Sequence, residues 1–419
     1  MKIIGQRVRF GSHLGLERIQ LVCDALGNPE RNLKFIHIAG TSGKGSVSAF
    51  LGEVLKCSGM KVGSFTSPHL ERYSERFRIN GEPIDEETLN EIVPRAEEAC
   101  RQVEADRPDL GAVTEFELAT AAGFLYFRQS QADVVVLETG LGGRLDATNV
   151  VEPLLTVITT IGLDHEDRLG STLEEIAAEK GGIIKAGVPV VSGVQSPDAE
   201  KVLKRIALEK QADWRSTKEV PWVGHGWSLA GGSLTFPGLG LVNIGLLGGH
   251  QLQNAATALV AIMELRKLGL EIPPEAIRRG FQEVSWPGRM EVASHNPFIL
   301  FDGAHNQEGI EALAQSLQQL QGELGGEKFT FLFGMLHNKS LSLLDPLLPL
   351  ARRFVFARAD SGRLPAMEPR VMADYAEQAG VAAAACEELP EAVAEAVKTP
   401  PLCICGSLYL VGSVKRVLR

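Results

Sequence analysis

Gly40, Gly43 and Gly45 surround Lys44 in the stretch FIHIAGTSGKGSVSAFLGEVL (residues 35–55), and Thr41, Ser42 and Ser46 supply hydroxyls beside it. An apolar strand, a glycine-rich turn and an amphipathic helix in that order make an anion site. Backbone N–H groups converge on one point, the helix dipole adds positive potential, and the lysine adds a point charge. A hydroxyl after the lysine can ligate Mg²⁺. The pattern departs from the standard phosphate loop in two places: Ile38 stands where a glycine is usual, and Gly45 separates Lys44 from Ser46.

A phosphate loop that works with a metal needs hard oxygen ligands. Glu138 ends the apolar run DVVVLE, and an acid at the C-terminal edge of a parallel sheet faces the ligand crevice. Capping the strand end and pairing with Arg144 are the alternative roles for that carboxylate. His165 and Lys180 lie further on, in TTIGLDHEDRLGSTLEEIAAEKGGIIKAG (159–187). Read alone, His165 fits a surface-loop histidine, and Lys180 a favourable cation at a helix end before Gly181-Gly182.

The elements that must carry these groups are short apolar runs alternating with helical patterns. FIHIA (35–39), KVGSF (61–65), DVVVLE (133–138), LLTVITT (154–160) and VPVVSGV (188–194) read as buried strands of a parallel sheet covered on both faces. Val47, Phe50, Leu51, Val54 and Leu55 form the apolar stripe of the helix after the loop, and Gly59 closes it. The glycine-rich alternating stretch 222–245 reads as a small β insertion, and 254–270 as a helix. Pro287-Gly288 makes a hinge. Beyond it FILFDGAHN (298–306), FTFLFGML (329–336), RRFVFARAD (352–360) and PLCICGSLYLVGSV (401–414) repeat the strand-then-helix theme. The fold class expected is α/β: a phosphate-loop nucleotide domain with a parallel-rich sheet over 1–289, then a smaller, doubly wound Rossmann-like domain over 290–419.

A chain of 419 residues implies two or three domains, and 44% hydrophobic with 22% charged residues describes an ordinary globular protein. The net charge of −10 argues against a nucleic-acid partner. The N-terminal stretch MKIIGQRVRFGSHLGLERIQ lacks the apolar core of a signal peptide, and no apolar run is long enough for a membrane span. The six cysteines are dispersed, with Cys403-x-Cys405 reading as strand filling, so a reduced, cytoplasmic protein is expected, and a monomer is the default. The guanine-reading pattern Asn-Lys-x-Asp is absent, since Asn338-Lys339 is followed by Ser340 and Leu341. That argues against a GTPase switch.

Ten motifs in order resemble one family. They are GTSGKGS (40–46), TSPHLERYSERFRING (66–81), TEFE (114–117), ETGLGGRLDATNV (138–150), LDHEDRLG (163–170), EKGGIIK (179–185), NAATAL (254–259), PGR (287–289), DGAHN (302–306) and GSLYLVG (406–412). Together they are similar to the folylpolyglutamate synthase/dihydrofolate synthase branch of the Mur ligases, which shares the departure in the phosphate loop. The resemblance implies an ATP-dependent amide ligase that joins L-glutamate to dihydropteroate, to folyl-glutamates or to both, through an acyl phosphate. It implies that Gly40 to Ser46, Asn254, Arg289 and Asp302 contact ATP. Of two Mg²⁺ ions, Ser67 and Glu138 would hold one and Glu138 and His165 the other, with Ser46 beside them.

The same resemblance implies carbamylation of Lys180, because an ammonium cannot ligate Mg²⁺ whereas a carbamate presents a carboxylate-like oxygen pair. It also implies pterin contacts from Thr114, Phe116, Arg144 and Asp146, and a folate-binding loop over Pro68 to Phe77. Glutamate placement falls to His305 and Ser407, His305 being the candidate base. HNKS (337–340) departs from the family's Asp-Lys-Asp, so a charge-based role for that loop is in doubt.

Overall fold

The computed structural model describes Arg7, residues 15–359 and residues 365–419. Most of the N-terminal stretch considered for a signal segment, and Asp360 at the end of the RRFVFARAD run, lie outside the described residues. The chain forms two compact units, each built from more than one stretch. The first comprises Met1–Val223, Leu234–Asn243 and Gln253–Val284, and the second Gly224–Ser233, Ile244–Leu252 and Ser285–Arg419.

The first unit is organised by one sheet. Its strands are β1 (Phe35–Ala39), β2 (Val62–Phe65), β3 (Phe77–Ile79), β4 (Glu82–Pro83), β5 (Val134–Glu138), β6 (Leu155–Ile158), β7 (Val190–Ser192) and β8 (Trp214–Ser216), in the order β4-β3-β2-β5-β1-β6-β7-β8. From β2 to β8 every pairing is parallel. The sheet is parallel-rich, as expected, with one antiparallel edge, where β3 pairs antiparallel with β2 and β4 with β3. Asn80, at φ 52°, and Gly81 make the reversal, and that dipeptide is a hairpin signal in the sequence, but the flanking residues of FRINGEP (77–83) are too few to read as strands. Strands β1 and β5 are buried along their whole length, as continuous Val, Ile and Leu runs require in a sheet covered on both faces. The observed strands are one or more residues shorter than several of the apolar runs. Thr159 and Thr160, for instance, leave β6 to hold the turn after β1.

Helix Lys44–Cys57 follows β1 and packs on helix Pro274–Glu283 through Phe50 and Phe281, whose rings stack at 4.8 Å. Gly280 is what lets the two backbones meet. A Cβ there would lie 2.6 Å from Val54 Cα and 2.8 Å from its nitrogen, and backbone cannot step aside. Gly280→Ala is therefore expected to lower stability by roughly 1–3 kcal/mol, seen as a lower Tm with turnover per folded molecule retained. An unchanged Tm would show that this helix pair separates at little cost.

Within 222–245 lie β9 (Val223–Ser228), β10 (Gly231–Phe236) and β11 (Gly240–Ile244), paired in the order β11-β10-β9. Helix Gly249–Lys267 follows, starting earlier than the 254–270 expected. The second unit contains β12 (Glu291–His295), β13 (Phe298–Phe301), β14 (Phe329–Phe333), β15 (Ala351–Phe356), β16 (Ala382–Ala385) and β17 (Leu402–Cys405), in the order β12-β13-β17-β14-β15-β16. Only β12 pairs antiparallel. Phe331, Phe354 and Phe356 stack at 5.1 Å spacings on this sheet, and Cys403 and Cys405 are fully buried within β17. No helix among the described residues is long and apolar enough to cross a membrane.

Candidate active site

Strand β1 lies between β5 and β6, and all three end at the same sheet edge. The glycine turn is therefore flanked by Glu138 on one side and by Thr159 and Thr160 on the other. Register places Ile38 opposite Glu138 and Ala39 opposite Ile158. The turn is pinned by Thr41 N and Ser42 N donating to Thr160 O at 2.9 and 3.3 Å. Thr41 Oγ1 donates to Gly162 O at 3.0 Å and accepts from Gly162 N at 3.1 Å. Two glycines are obligatory here. A Cβ on Gly40 would overlap Thr159 Oγ1, and one on Gly43, at φ 90°, would overlap Asn254 Oδ1. The second contact brings Asn254 from a distant helix against the loop that its motif is expected to serve.

Two lysines converge on this turn. Lys44 folds back so that Nζ donates to Gly40 O at 3.0 Å and Thr41 O at 3.3 Å. Lys180, near the end of helix Leu173–Gly181 and buried, donates to the same Gly40 O at 2.9 Å. Lys180 is thus a cation in the last turn of its helix, as its position suggests, but a buried one whose ammonium points into the phosphate loop. Glu138 is 4% exposed and Ser46 3%, so both would meet a ligand with little water to screen them. Ser67 leaves the end of β2, where Phe65 pairs with Leu137, one step below Glu138. His165 is exposed and left-handed at φ 53°, at the start of helix Glu166–Leu169.

The residues expected to face a pterin gather at the end of β5. Phe116 packs against Phe65 with centroids 5.8 Å apart, and its ring lies over Gly140, where a Cβ would strike it. Thr114 caps helix Glu115–Gln129, and Glu117 Oε2 accepts from Thr114 N at 2.7 Å and from its hydroxyl at 2.8 Å. Arg18 Nε donates to Glu117 Oε1 at 3.1 Å, both side chains being 6% exposed. Asp146 Oδ2 accepts from Gly140 N and Leu141 N at 2.9 and 2.8 Å, while Oδ1 accepts from Thr148 N and Oγ1 at 3.1 and 2.5 Å. Burial raises the Asp146 carboxyl above the usual range, and those four hydrogen bonds oppose the rise. Arg144 pairs with Glu179 at 2.7 Å rather than with Glu138, so that alternative for Glu138 falls away.

In the second unit, Asp302 at the end of β13 accepts from Met290 N and Ala304 N, both at 2.8 Å. Gly303 N donates to Gly288 O, and a Cβ on Gly303 would overlap Arg289 Nη1, so Arg289 lies directly on the DGAHN turn. His305 Nδ1 lies 2.8 Å from Gly303 O. A carbonyl only accepts, so Nδ1 carries the proton and the basic lone pair is on Nε2. Gly406 N donates to Ala304 O at 3.0 Å, which brings buried Ser407, the cap of helix Leu408–Val417, beside the same turn.

Several supporting residues were assigned no role from the sequence, although Glu117 and Thr148 lie within the TEFE and ETGLGGRLDATNV motifs. His37, Thr148, Arg18 and Glu117 all sit in buried polar networks. For His37 a signal existed, since it is the one polar residue in FIHIA. For Arg18 none did.

The family described as Mur ligase middle domain matches residues 109–262, and the dihydrofolate synthetase C-terminal domain matches 288–418. The dihydrofolate synthase/folylpolyglutamate synthase of Bacillus subtilis is 36% identical over 427 residues, 99% of this chain and 97% of that protein. Among solved structures, folylpolyglutamate synthase of Mycobacterium tuberculosis complexed with ADP and AMPPCP superposes with a TM-score of 0.89 at 29% identity, covering 99% of this chain and 96% of that one. Escherichia coli FolC in complex with DHPP and ADP gives a TM-score of 0.85 at 30% identity, with 100% and 96% covered. On these matches over its whole length, the chain belongs to the dihydrofolate synthase/folylpolyglutamate synthase family of Mur ligases and is an ATP-dependent glutamate ligase.

Proposed function

We propose that this ligase is bifunctional, coupling L-glutamate both to dihydropteroate and to folates that already carry glutamate. What supports the pterin acceptor is the Phe116 ring lying over Gly140 beside the buried Asp146 carboxylate, at the edge that also carries the phosphate loop. An aromatic face suits stacking, and a carboxylate suits the N–H edge of a pterin. The Escherichia coli relative was solved with DHPP and ADP, in keeping with this reading.

In the proposed sequence, the acceptor carboxylate attacks the γ-phosphorus of ATP, forming an acyl phosphate and releasing ADP. The α-amine of glutamate then attacks the acyl carbon, and phosphate leaves as the amide forms. Gly40 to Ser46 hold the triphosphate, with Lys44 as the point charge on the transferring group and Asn254 beside the loop. Arg289 and Asp302 are assigned to the nucleotide, and Ser407 and His305 to glutamate. His305 Nε2 takes the proton that the amine loses on attack, a role its Nδ1–H tautomer leaves open.

The donor set fits a hard divalent cation. Ser67 and Glu138 leave neighbouring strands at the same edge, and Glu138 is a buried carboxylate. We assign Ser67, Glu138 and Ser46 to one Mg²⁺, and Glu138, His165 and a carbamylated Lys180 to a second. When bound, the ions would neutralise charge on the triphosphate. The protein is proposed to act as a cytoplasmic monomer.

The deciding experiment supplies ATP, Mg²⁺ and labelled glutamate with either dihydropteroate or a reduced folyl-monoglutamate. Label is expected in a product from each acceptor. Product from folyl-monoglutamate alone would make the enzyme monofunctional, and none from either would overturn the acceptor assignment.

A further inference from the structure

Strand β1 carries a histidine at the centre of a largely apolar sheet. His37 is fully buried, paired in register with Leu137 on β5 and Thr156 on β6. Its Nε2 lies 2.8 Å from Thr148 Oγ1, which in turn lies 2.5 Å from Asp146 Oδ1. The protons along this chain can be assigned. Asp146 accepts three backbone N–H groups, which favours the carboxylate, so the single Thr148 hydroxyl proton goes to Asp146. Thr148 Oγ1 must then accept from His37, fixing the Nε2–H tautomer. The other ring nitrogen, Nδ1, is buried with no hydrogen-bond partner.

That orphan nitrogen is informative. A histidine kept only to fill space would leave no reason to bury an unsatisfied acceptor, and an apolar side chain would serve better. What the imidazole supplies that leucine cannot is the Nε2–H. We propose that His37 is a positioning residue for the acceptor: through Thr148 it fixes the orientation of the Asp146 carboxylate, and with it the 140–148 turn. This rests on the reading of Asp146 as an acceptor contact. Burial, and secondarily the nearby Lys185 charge, push the imidazole down to about 3, so the ring stays neutral and its donor role persists through the neutral range.

Three variants test the idea: His37→Leu, which removes the donor at similar volume; His37→Gln, whose amide N–H can reach the place of Nε2; and Thr148→Val, which cuts the chain at its middle. His37→Leu and Thr148→Val are expected to raise the KM for dihydropteroate by about tenfold, the loss of one good hydrogen bond, while the KM for ATP stays within about twofold. His37→Gln should recover most of the loss. Asp146→Asn combined with His37→Leu should be non-additive, as expected of residues acting in one chain. A merely structural role would instead lower Tm or kcat with both KM values unmoved, or make Gln no better than Leu, and either result would overturn the proposal. Should His37→Leu fail to fold, Thr148→Val against His37→Gln carries the comparison. If the unaltered enzyme does not use dihydropteroate, the acceptor reading itself has failed; if it does and the variants leave its KM unmoved, only the His37 inference has.

Discussion

Lys44→Ala is expected to lower ATP-dependent glutamate ligation by on the order of a thousandfold, with the fold intact. In the structure the Lys44 ammonium rests on the carbonyl oxygens of Gly40 and Thr41, so the charge is already stationed over the turn where a phosphate would lie. Alanine keeps the helix, being its best former, and removes only the charge. The loop is held by Thr41, Ser42, Thr160 and Gly162 independently of Lys44, so Tm should hardly change. Arginine should not rescue, because a planar fork cannot replace a point charge in a turn this tight. ADP release followed beside a melting curve checks both halves. Near-wild-type turnover from the purified variant would remove the phosphate-loop assignment.

The second large effect concerns Lys180. Two ammonium groups on one carbonyl oxygen repel each other, and a phosphate alone does not explain why one of them is buried. Converting Lys180 to a carbamate replaces that repulsion with attraction toward Lys44 and gives a metal an oxygen ligand. Lys180→Ala is accordingly expected to cost on the order of a hundredfold or more in kcat, the scale seen when one preorganised charge is removed from a transition state. The unaltered enzyme, stripped of carbon dioxide at low pH, should lose activity and regain it on adding bicarbonate at neutral pH. Lys180→Ala should ignore bicarbonate. Mass spectrometry under native conditions reads the bound CO₂ directly. Activity and mass both indifferent to CO₂ would dispose of the carbamate and leave Lys180 as a second phosphate-side cation.

The first expectation starts from a residue that stands out in the linear sequence, whereas Lys180 gained its role only from the family resemblance; the phosphate turn is where the sequence is strongest. A glycine turn announces itself locally, because only glycine allows the backbone to approach Thr159 and Asn254 at Gly40 and Gly43. Continuous apolar runs announce a doubly covered parallel sheet for the same local reason, and Glu138 at the end of one of them was legible as an acid at the ligand edge. The β3 and β4 strands were not, since runs of three and two residues carry too little pattern to be distinguished from a loop, although Asn80-Gly81 marks the turn between them.

By itself, then, the sequence determined what depends on neighbours along the chain: the phosphate turn with its lysine, the alternation of strand and helix, and the ordered motifs that mark the family. Only the tertiary structure decided which distant side chains complete the site. Lys180 meets Gly40 across 140 positions, His37 meets Thr148 across 111, and Arg18 meets Glu117 across 99. A hydrogen bond between such residues leaves no periodicity in the chain. The first two exist because the parallel sheet sets β1 beside β5 and β6, the third because helices Glu17–Ala25 and Glu115–Gln129 pack together. Burial in each place makes an unpaired polar group too costly to tolerate without a purpose.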